Sequence, residues 1–304
     1  MKARLLEILR TGTVAVDDLK RELSAEVERI EEEIKELAAL GYEIEKTDRH
    51  YRLVTSPDIP FAWEFPGRQE RVHYFQETGS TMDLARAMAR DGCPHGTVII
   101  AGTQTRGRGR MDRTWLSAAG GLYFTMVLRP DLSPAEGFLL NFLASLTLAG
   151  MLRRESGLPA AVKWPNDILV EGRKLCGMLS EMSATSDTLH SVNLGIGLNV
   201  NNNPTVETPQ AASLKMLTGR DFSRISLLSR FLDEFEAGLT NLHPADVIRR
   251  WKEAATGLGR PVTVVTRQEE IRGVAEDVAE DGSLLVRLED GTRRQVIYGD
   301  CFPG

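Results

Sequence analysis

Apolar residues recur over the first 54 positions of the chain at two different spacings. Intervals of three and four residues predict amphipathic helices, two of them short, near 5–9 and 16–23, and a third that is longer. The longer helix carries this stripe: Val27, Ile30, Ile34 and Leu37. Apolar and polar residues then alternate on either side of Thr47–Arg49, which predicts a β-hairpin. The chain therefore begins with three helices and a hairpin.

This order of elements is typical of a winged helix-turn-helix, which we assign to residues 1–55. In such modules the third helix enters the major groove of DNA. Here the segment Ser24–Glu36 carries six glutamates, opposed only by Arg29 and Lys35. Because a phosphate-lined groove repels an acidic surface, the sequence disfavours operator DNA as a partner.

After a proline-containing linker expected at 56–70, the pattern changes to short apolar strands and one long apolar helix. Pro134–Ser156 has helical length and an almost continuous apolar run, which predicts a core helix. The strands come as hairpins, which predicts an α+β domain with a mixed, mostly antiparallel sheet over 71–256. Asn201–Gly219 is polar and irregular, and we expect a mobile loop there. Strand-like segments separated by Asp-Gly turns over 257–304 predict a small SH3-like β-barrel.

Composition describes an ordinary soluble protein. The 304 residues are 42% hydrophobic with a net charge of −6, so wholesale electrostatic binding to nucleic acid is not indicated. Three scattered cysteines argue against a disulfide framework and for a reducing cytoplasm. No signal-like region and no run of about 18 apolar residues is found, so we expect no membrane association. The five histidines never fall at metal-ligand spacing, which argues against a protein-held zinc.

The stretch Thr105–Trp115 places four arginines and two glycines within eleven residues. Gly107 and Gly109 allow positive φ and close approach to a ligand, while the arginines supply donor forks for phosphate or carboxylate oxygens. We expect the loop to be mobile when empty and ordered when an anion binds. The alternatives are a solvated or nucleic-acid-binding face, a dinucleotide loop and a plain flexible loop. Asp112 stands where a dinucleotide loop needs its third glycine, which disfavours that alternative.

Two further cationic segments bear on this choice. Lys163–Asp167 follows a predicted strand, and Arg173–Gly177 belongs to a predicted hairpin. A nucleic-acid patch does not need the carboxylate of Asp167 at its centre. A site that joins a carboxylate to the α-phosphate of ATP needs several cations, and a carboxylate or amide to help hold Mg²⁺. We therefore expect the three segments to meet in one active site.

Together these motifs resemble those of biotin protein ligases, and the order of domains resembles the bifunctional bacterial form with an N-terminal repressor domain. The resemblance spans nearly the whole chain. Its motifs are Gly107-Arg108-Gly109-Arg110-x-x-Arg113-x-Trp115, Lys163-Trp164-Pro165-Asn166-Asp167, Arg173-Lys174-Leu175-x-Gly177 and Gly195-Ile196-Gly197-Leu198-Asn199. It implies that biotin and MgATP give biotinyl-5′-AMP, and that biotin is then transferred to a lysine of the biotin carboxyl carrier protein of acetyl-CoA carboxylase. Repression of a biotin operon and homodimerisation are further expectations of the family.

The resemblance also implies three overlapping sets of site residues. The catalytic set is Lys174, Arg108, Lys163 and Asp167. The biotin-binding set is Ser80, Thr81, Met82, Gln104, Arg108, Gly109, Arg110 and Lys174. The set for ATP and the adenylate is Arg108, Arg110, Arg113, Trp115, Lys163, Asn166, Lys174 and Asn199. The metal ligands are left unassigned, although Asn166 and Asp167 are expected to assist magnesium or ribose binding.

Two positions depart from the family's pattern. The family often has asparagine where this chain has Met82, which is expected to remove or replace a hydrogen bond near biotin. It usually has glycine where Asp112 stands, which is expected to stiffen the loop and reduce its positive charge. Two other functions are weighed against the biotin ligase: a lipoate ligase of the same fold, and a DNA-binding regulator that senses biotinyl-AMP without being mainly an enzyme.

Overall fold

The chain divides into two units, Met1–Glu70 and Arg71–Gly304. The computed structural model describes residues 1–206, 208 and 210–304. In the first unit the predicted helices and hairpin are confirmed, and a short strand that the sequence did not predict pairs with β3. Its elements are α1 (Lys2–Leu9), β1 (Val14–Ala15), α2 (Val16–Leu23), α3 (Val27–Ala39), β2 (Glu43–Lys46) and β3 (His50–Thr55). The apolar faces of the helices form one core with Tyr42 and Tyr51.

Part of the predicted linker is packed in this first unit. Phe61 and Trp63 stack with ring centroids 4.5 Å apart and lie against the core. The Glu64 carboxylate is buried, where it accepts hydrogen bonds from the Tyr42 hydroxyl and, at 2.6 Å, from the Arg10 guanidinium. The linker prediction is therefore wrong for this part of the segment, because apolar and polar contacts fix residues that its prolines suggested were free.

A seven-stranded sheet runs through the second unit in the order β4-β5-β6-β10-β9-β8-β7. Strands β4 and β5 are parallel and joined by α4, and the other neighbouring pairs are antiparallel. The predicted α+β class with a mixed, mostly antiparallel sheet is confirmed. The strands are β4 (Val72–Thr78), β5 (Thr97–Gln104), β6 (Leu122–Leu128), β7 (Ala160–Lys163), β8 (Asp167–Val170), β9 (Arg173–Ala184) and β10 (Leu189–Leu198). The helices are α4 (Thr81–Arg90), α5 (Phe138–Ser156), α6 (Leu214–Thr218), α7 (Arg224–Thr240) and α8 (Pro244–Ala254).

Helix α5 is the core helix that the apolar run predicted. Its Phe142 stacks on Trp251 of α8 at 4.5 Å, and the Trp251 indole N–H donates to the Ser145 hydroxyl at 3.1 Å. By length and composition, Pro134–Ser156 could cross a membrane, but 67% of its most apolar window is buried inside the unit. Its apolar character is accounted for by this packing.

The predicted mobile loop at 201–219 contains ordered structure in its second half. Ala212 and Ser213 are fully buried, and the Ser213 hydroxyl accepts a hydrogen bond from the first turn of α6. Glu207 and Pro209 lie outside the described residues. The loop prediction is wrong for the stretch that contains α6, because a few small and apolar residues within the polar sequence are enough to anchor it.

The last 44 residues form a five-stranded sheet in the order β14-β13-β12-β11-β15. Its strands are β11 (Pro261–Val265), β12 (Glu270–Val278), β13 (Leu284–Arg287), β14 (Arg293–Val296) and β15 (Asp300–Pro303). The two predicted hairpins are confirmed, with Gly282 and Gly291 in the left-handed region at φ 79° and 84°. Strand β15 was not predicted, and it is the strand of this sheet that reaches the site described next.

Candidate active site

A cleft opens where α4 begins, beside the arginine loop (Thr105–Trp115), the turn between β7 and β8, and strands β9, β10 and β15. It encloses about 890 Å³ of space, open solvent included. Its lining includes the cations Arg108, Arg110, Arg113, Lys163 and Lys174 and the carboxylates Asp167 and Asp300. The net charge of the whole chain is −6, so this excess of positive charge is a local property of the cleft.

The structure brings every sequence-predicted site residue except one to this cleft. These are Ser80, Thr81, Met82, Gln104, Arg108, Gly109, Arg110, Arg113, Trp115, Lys163, Asn166, Asp167 and Lys174. The exception is Asn199, which is buried after the end of β10. Its backbone N–H donates to Leu175 at 3.0 Å, and its side-chain oxygen accepts from Asn202 at 2.9 Å. Asn199 shapes this turn and is not among the residues that line the cleft, so its assignment to ATP stays a prediction.

The arginine loop folds back on itself. The N–H of Trp115 donates to the Gly107 carbonyl at 2.9 Å, and the N–H of Gly109 donates to the Arg113 carbonyl at 2.7 Å. Neither glycine has a positive φ, so that part of the prediction is wrong. A Cβ at Gly109 would lie 3.2 Å from the Arg113 carbonyl oxygen, so this glycine gives room to the loop's own backbone, while close approach to a ligand stays a prediction.

The left-handed residues of the loop are Met111 and Asp112, at φ 51° and 60°. Aspartate is one of the few residues that tolerate this region, which accounts for its presence where the family usually has glycine. The Asp112 carboxylate lies 3.1 Å from Arg267 of the C-terminal sheet. Both side chains are strongly exposed, so we expect this pair to add little stability.

The Arg108 side chain points to the rim of the cleft. Its guanidinium lies 2.7 Å from Glu181 of β9 and 3.3 Å from Asp83 of α4, and Arg86 contacts the same two carboxylates at 2.8 and 3.4 Å. Two arginines and two carboxylates thus hold the loop against α4 and β9. The sequence motifs assign Arg108 to the ligand directly and do not reveal either carboxylate, because no short motif links the two acids to the loop.

Arg110 and Arg113 reach the C-terminal sheet. Arg110 donates to the side-chain oxygen of Asn166 and to the carbonyl of Gly299, both at 3.1 Å, and Arg113 lies 2.7 Å from Asp300. Burial lowers the pKa of Arg110, and the nearby carboxylates of Asp300 and Asp167 oppose that shift. Asp300 is not recognisable from the sequence, because β15 was not predicted and no motif surrounds this residue.

A β-bulge positions Lys174. Between β8 and β9 the register shifts by one residue at Leu175, so that Lys174 and Gly177, three positions apart, lie on the same face of the sheet. A Cβ at Gly177 would lie 3.2 Å from the Lys174 Cε atom. The Lys174 ammonium lies 2.7 Å from the Asp167 carboxylate, an ion pair that lacks hydrogen-bond geometry. The ammonium can therefore turn to another anion without losing a directional bond.

The other lysine of the cleft, Lys163, ends β7. Its ammonium lies 5.6 Å from the ring centroid of Phe302, and the Arg113 guanidinium lies 5.9 Å from the same ring. Within the described part of the chain, Lys163 has no carboxylate at ion-pair distance. Its charge is consequently available to an anionic ligand.

The indole of Trp115 packs directly against two glycines of the sheet. A Cβ at Gly177 would lie 2.8 Å from its ring, and one at Gly197 would clash with the ring at a still shorter distance. The Lys174 ammonium lies 5.4 Å from the ring centroid, within cation–π range. The indole N–H is buried and has no hydrogen-bond partner among the described residues. The two glycines therefore make room for a wall of the cleft.

Uncharged polar groups gather around the first residues of α4. The N–H and the hydroxyl of Thr81 both donate to the side-chain oxygen of Gln104, at 2.8 and 3.1 Å. The Gln104 amide nitrogen donates to the Ser117 hydroxyl at 2.7 Å, and the Thr125 hydroxyl of β6 donates to Thr81 at 2.8 Å. Ser80 occupies the N-cap of α4 without capping it, and its buried hydroxyl has no partner among the described residues.

The floor beside these groups is apolar. Met82 is buried and packs against Gly195, where a Cβ would lie 2.6 Å from the Met82 sulfur. Phe124 and Ile196 complete this surface. At the position where the family often has asparagine, this chain thus contributes a sulfur and methylene surface and no hydrogen-bond donor.

No group of three or more His, Cys, Asp or Glu side chains that could hold a metal ion occurs within residues 1–206, 208 and 210–304. Asp167 and Asp300 are the carboxylates of the cleft, and each faces a cation.

Comparisons with known proteins identify related chains. Residues 74–199 match the Biotin/lipoate A/B protein ligase family, and residues 257–304 match the Biotin protein ligase C terminal domain. The bifunctional ligase/repressor BirA of Bacillus subtilis is 32% identical over 276 residues, which cover 86% of this chain and 85% of that protein. The biotin–[acetyl-CoA-carboxylase] ligase of Paracoccus denitrificans is 34% identical over 210 residues, covering 66% of this chain and 86% of that protein.

Among solved structures, the biotin protein ligase of Aquifex aeolicus in complex with biotin and ATP superposes with a TM-score of 0.66 at 26% identity. The match covers 77% of this chain and all of that one. Similarity in sequence and fold, over most of both chains, shows that this chain belongs to the biotin protein ligase family.

Proposed function

We propose that this chain is an ATP-dependent biotin–[biotin carboxyl carrier protein] ligase that works in two steps. A carboxylate oxygen of biotin first attacks the α-phosphorus of ATP, and pyrophosphate leaves. The ε-amine of a carrier lysine then attacks the carbonyl of the mixed anhydride, and AMP leaves. The observation that supports this most directly is one cleft with cations at one end and uncharged polar groups beside an apolar floor at the other.

In the first step two anions must approach each other, so the cations of the cleft have to offset their repulsion. Lys174 bridges the biotin carboxylate and the α-phosphate once it turns from Asp167, which lies 2.7 Å away. Lys163, at the opposite side of the Asp167 turn, faces the triphosphate. Arg110 and Arg113 cover the phosphates from the loop, while Arg108 holds that loop closed through Glu181. Apart from Lys174, which has to turn from Asp167, these charges are held in place and therefore stabilise a transition state with little reorientation.

In the second step the attacking amine must lose a proton. Asp167 is the carboxylate beside Lys174, and we assign it the acceptance of that proton. Because the same carboxylate pairs with Lys174, movement of Lys174 toward the phosphate frees Asp167 for this role.

The donor set of the cleft fits a magnesium ion that arrives with ATP. Mg²⁺ keeps most of its waters and is commonly held by one or two carboxylates together with substrate phosphates. Asp167 would be its protein ligand. The other carboxylate of the cleft, Asp300, pairs with Arg113 of the loop. The ion supplies charge neutralisation on the triphosphate.

The polar end of the cleft favours biotin over lipoate. Ser80 offers an unpaired hydroxyl, and Gln104 keeps one amide N–H after donating the other to Ser117. A ligand group that both accepts and donates hydrogen bonds satisfies this end, as the cyclic urea of biotin does. The dithiolane ring of lipoate has no strong donor or acceptor, so it would leave the buried Ser80 hydroxyl unpaired, at a cost of about 1–3 kcal/mol.

A single assay tests this function. Incubation with ATP, Mg²⁺ and a biotin carboxyl carrier domain should add one biotinyl group to that domain when biotin is supplied and none when lipoate is supplied. The mass of the carrier domain is the measurement, and a carrier whose acceptor lysine is changed to arginine is the control. Transfer of lipoate, or no transfer of biotin, would contradict the proposal.

A second candidate function is repression through the first unit, since the Bacillus relative named above is a ligase/repressor that matches across 86% of this chain. We propose that this unit is a winged helix-turn-helix. The charges remain unfavourable for DNA: residues 1–70 carry 16 acidic and 11 basic side chains. Glu33 pairs with Lys2 and Arg29, but Glu28 and Glu32 of α3 are exposed.

We therefore expect only weak binding to DNA from upstream of biotin-synthesis genes, with a Kd of about 10⁻⁴–10⁻⁶ M at physiological salt, as for non-specific binding. Fluorescence anisotropy of a labelled duplex, with and without biotin and ATP, measures it. A scrambled duplex is the control, and a nanomolar complex selective for the upstream sequence would establish the repressor.

The finer architecture and the setting complete the proposal. We propose that the C-terminal sheet is an SH3-like barrel and that the protein works in the reducing cytoplasm, consistent with its three free cysteines. Beyond Gly177, strand β9 pairs with β10 on one side, while β8 ends opposite Gly177 on the other. This edge is where we place either a second copy of the chain or the carrier domain.

A further inference from the structure

Strand β6 contains one polar residue inside a wholly buried run. Its sequence from Leu122 to Leu128 is Leu-Tyr-Phe-Thr-Met-Val-Leu, and each of these residues is buried. Thr125 has no exposed surface, and its hydroxyl lies 2.8 Å from that of Thr81. A buried hydroxyl is costly unless it is bonded, and an apolar residue of the same shape would fill the position. The presence of the Thr125 hydroxyl therefore indicates that its hydrogen bond to Thr81 has a role.

Two backbone groups determine the direction of each hydrogen bond around Thr125: one N–H, which can only donate, and one carbonyl, which can only accept. The backbone N–H of Thr81 can only donate, so the atom of Gln104 that faces it at 2.8 Å is the oxygen. The Thr81 hydroxyl faces the same oxygen at 3.1 Å and must also donate to it. Because the proton of the Thr81 hydroxyl is donated to Gln104, this hydroxyl can only accept a hydrogen bond from Thr125. Thr125 is thus a donor toward the cleft.

The second of these backbone groups is the carbonyl of Trp115, which can only accept. The Ser117 hydroxyl lies 3.2 Å from it and donates to it. Ser117 must then accept from the Gln104 amide nitrogen at 2.7 Å, which agrees with the orientation already imposed on that amide. The hydrogen-bond chain runs one way from Thr125 through Thr81 to the Gln104 oxygen, and from the Gln104 nitrogen through Ser117 to Trp115.

We infer that Thr125 and Ser117 are positioning residues for biotin recognition, which fix the hydroxyl of Thr81 and the amide of Gln104 in one donor and acceptor arrangement. This inference rests on the proposed function. Thr125 holds the Thr81 side chain in the rotamer that leaves one lone pair for a ligand N–H. Ser117 holds the Gln104 amide so that its second N–H is left for a ligand carbonyl. It also ties this arrangement to the backbone of the arginine loop through Trp115.

Thr125→Val removes the hydroxyl without changing the shape of the side chain, and Thr125→Ser keeps the hydroxyl. We expect Thr125→Val to raise the KM for biotin by about 5- to 10-fold, as for the loss of one hydrogen bond, with kcat and the KM for ATP changed less than 2-fold. Thr125→Ser should restore a KM within about 2-fold of the unchanged chain. The effect falls on KM because the urea end of biotin lies away from the carboxylate that reacts.

Thr97→Val is the matched control. Thr97 is also a buried threonine of this sheet, and its hydroxyl donates to the Pro94 carbonyl at 2.8 Å, away from the cleft. Its KM for biotin should not change. The second arm is the Thr81→Val, Thr125→Val double variant, which should bind biotin no more weakly than Thr81→Val alone, because Thr125 acts through Thr81.

Isothermal titration with biotin separates the outcomes. If the unchanged chain gives no heat with biotin, the proposed function fails. If it binds biotin and Thr125→Val binds equally well, the positioning role is overturned. Additive losses in the double variant, or an equal loss in Thr97→Val, would assign the effect to general destabilisation and would also overturn it. Thermal denaturation of each variant shows that it is folded under the assay conditions.

Discussion

Replacing Lys174 with alanine should slow the formation of biotinyl-5′-AMP by about 10²–10³-fold, by analogy with the removal of one donor from a preorganised anion site. The bulge at Leu175 points the Lys174 ammonium to the point where Asp167, Trp115 and Gly177 meet. Among the described residues, no other lysine lies at ion-pair distance from Asp167. Isotope exchange between pyrophosphate and ATP, dependent on biotin, measures this step without a carrier protein.

The control for this substitution is Lys215→Ala. Lys215 pairs with Asp221 on the surface and does not line the cleft, so exchange should be unchanged. Lys174→Ala leaves Asp167 without its cation, and thermal denaturation therefore has to show that the variant is still folded at the assay temperature. Near-normal exchange in a folded Lys174→Ala protein would rule out the assigned role.

Replacing Arg110 with alanine should release the adenylate from the cleft about 10²-fold faster. Its guanidinium joins the loop to Asn166 on one side and to Gly299 on the other, through two charge-assisted hydrogen bonds. Each such bond contributes about 1.5–3 kcal/mol, so the loss of both exceeds a factor of ten even after partial compensation. The mixed anhydride would then reach lysines of unrelated proteins.

Biotin incorporated into serum albumin, added as a bystander protein in excess, measures this release. Arg106→Ala is the matched control, since Arg106 belongs to the same loop but is exposed and does not line the cleft. Bystander labelling should rise in the Arg110 variant alone. Equal labelling by both variants, or by neither, would show that Arg110 does not retain the adenylate.

Local sequence patterns were sufficient to predict the parts of the site whose charged residues lie within one short segment. The loop around Arg108 and Arg110, the turn before Asp167 and the strand that bears Lys174 were each recognisable, because charged residues at buried strand ends need a functional reason. Their meeting in one cleft was expected because a site that joins a carboxylate to a phosphate needs several cations. The α+β class followed from hairpin turns and one long apolar helix.

Residues that act through partners distant in sequence were not recognisable. Glu181 and Asp83 hold Arg108 from two other elements, and Asp300 comes from a strand that was not predicted. The prediction of positive φ at the loop glycines was also wrong. A glycine in the sequence can be required either by the backbone angle φ or by lack of space for a side chain, and the residue type alone does not distinguish the two. Thr125 looked like an ordinary strand residue because only its contacts distinguish it.

The buried carboxylate of Glu64 has a consequence for anyone who shortens this protein. A chain cut at residue 56, where the prolines suggest a safe boundary, would keep the aromatic pair Phe61 and Trp63 but lose the surfaces that cover it. Its Glu64 carboxylate would also lose both hydrogen-bond donors, Tyr42 and Arg10. Such a fragment would expose apolar side chains near its first residue and would be prone to aggregate. A fragment that begins at residue 71 would lack the whole segment, together with the unit to which the segment belongs.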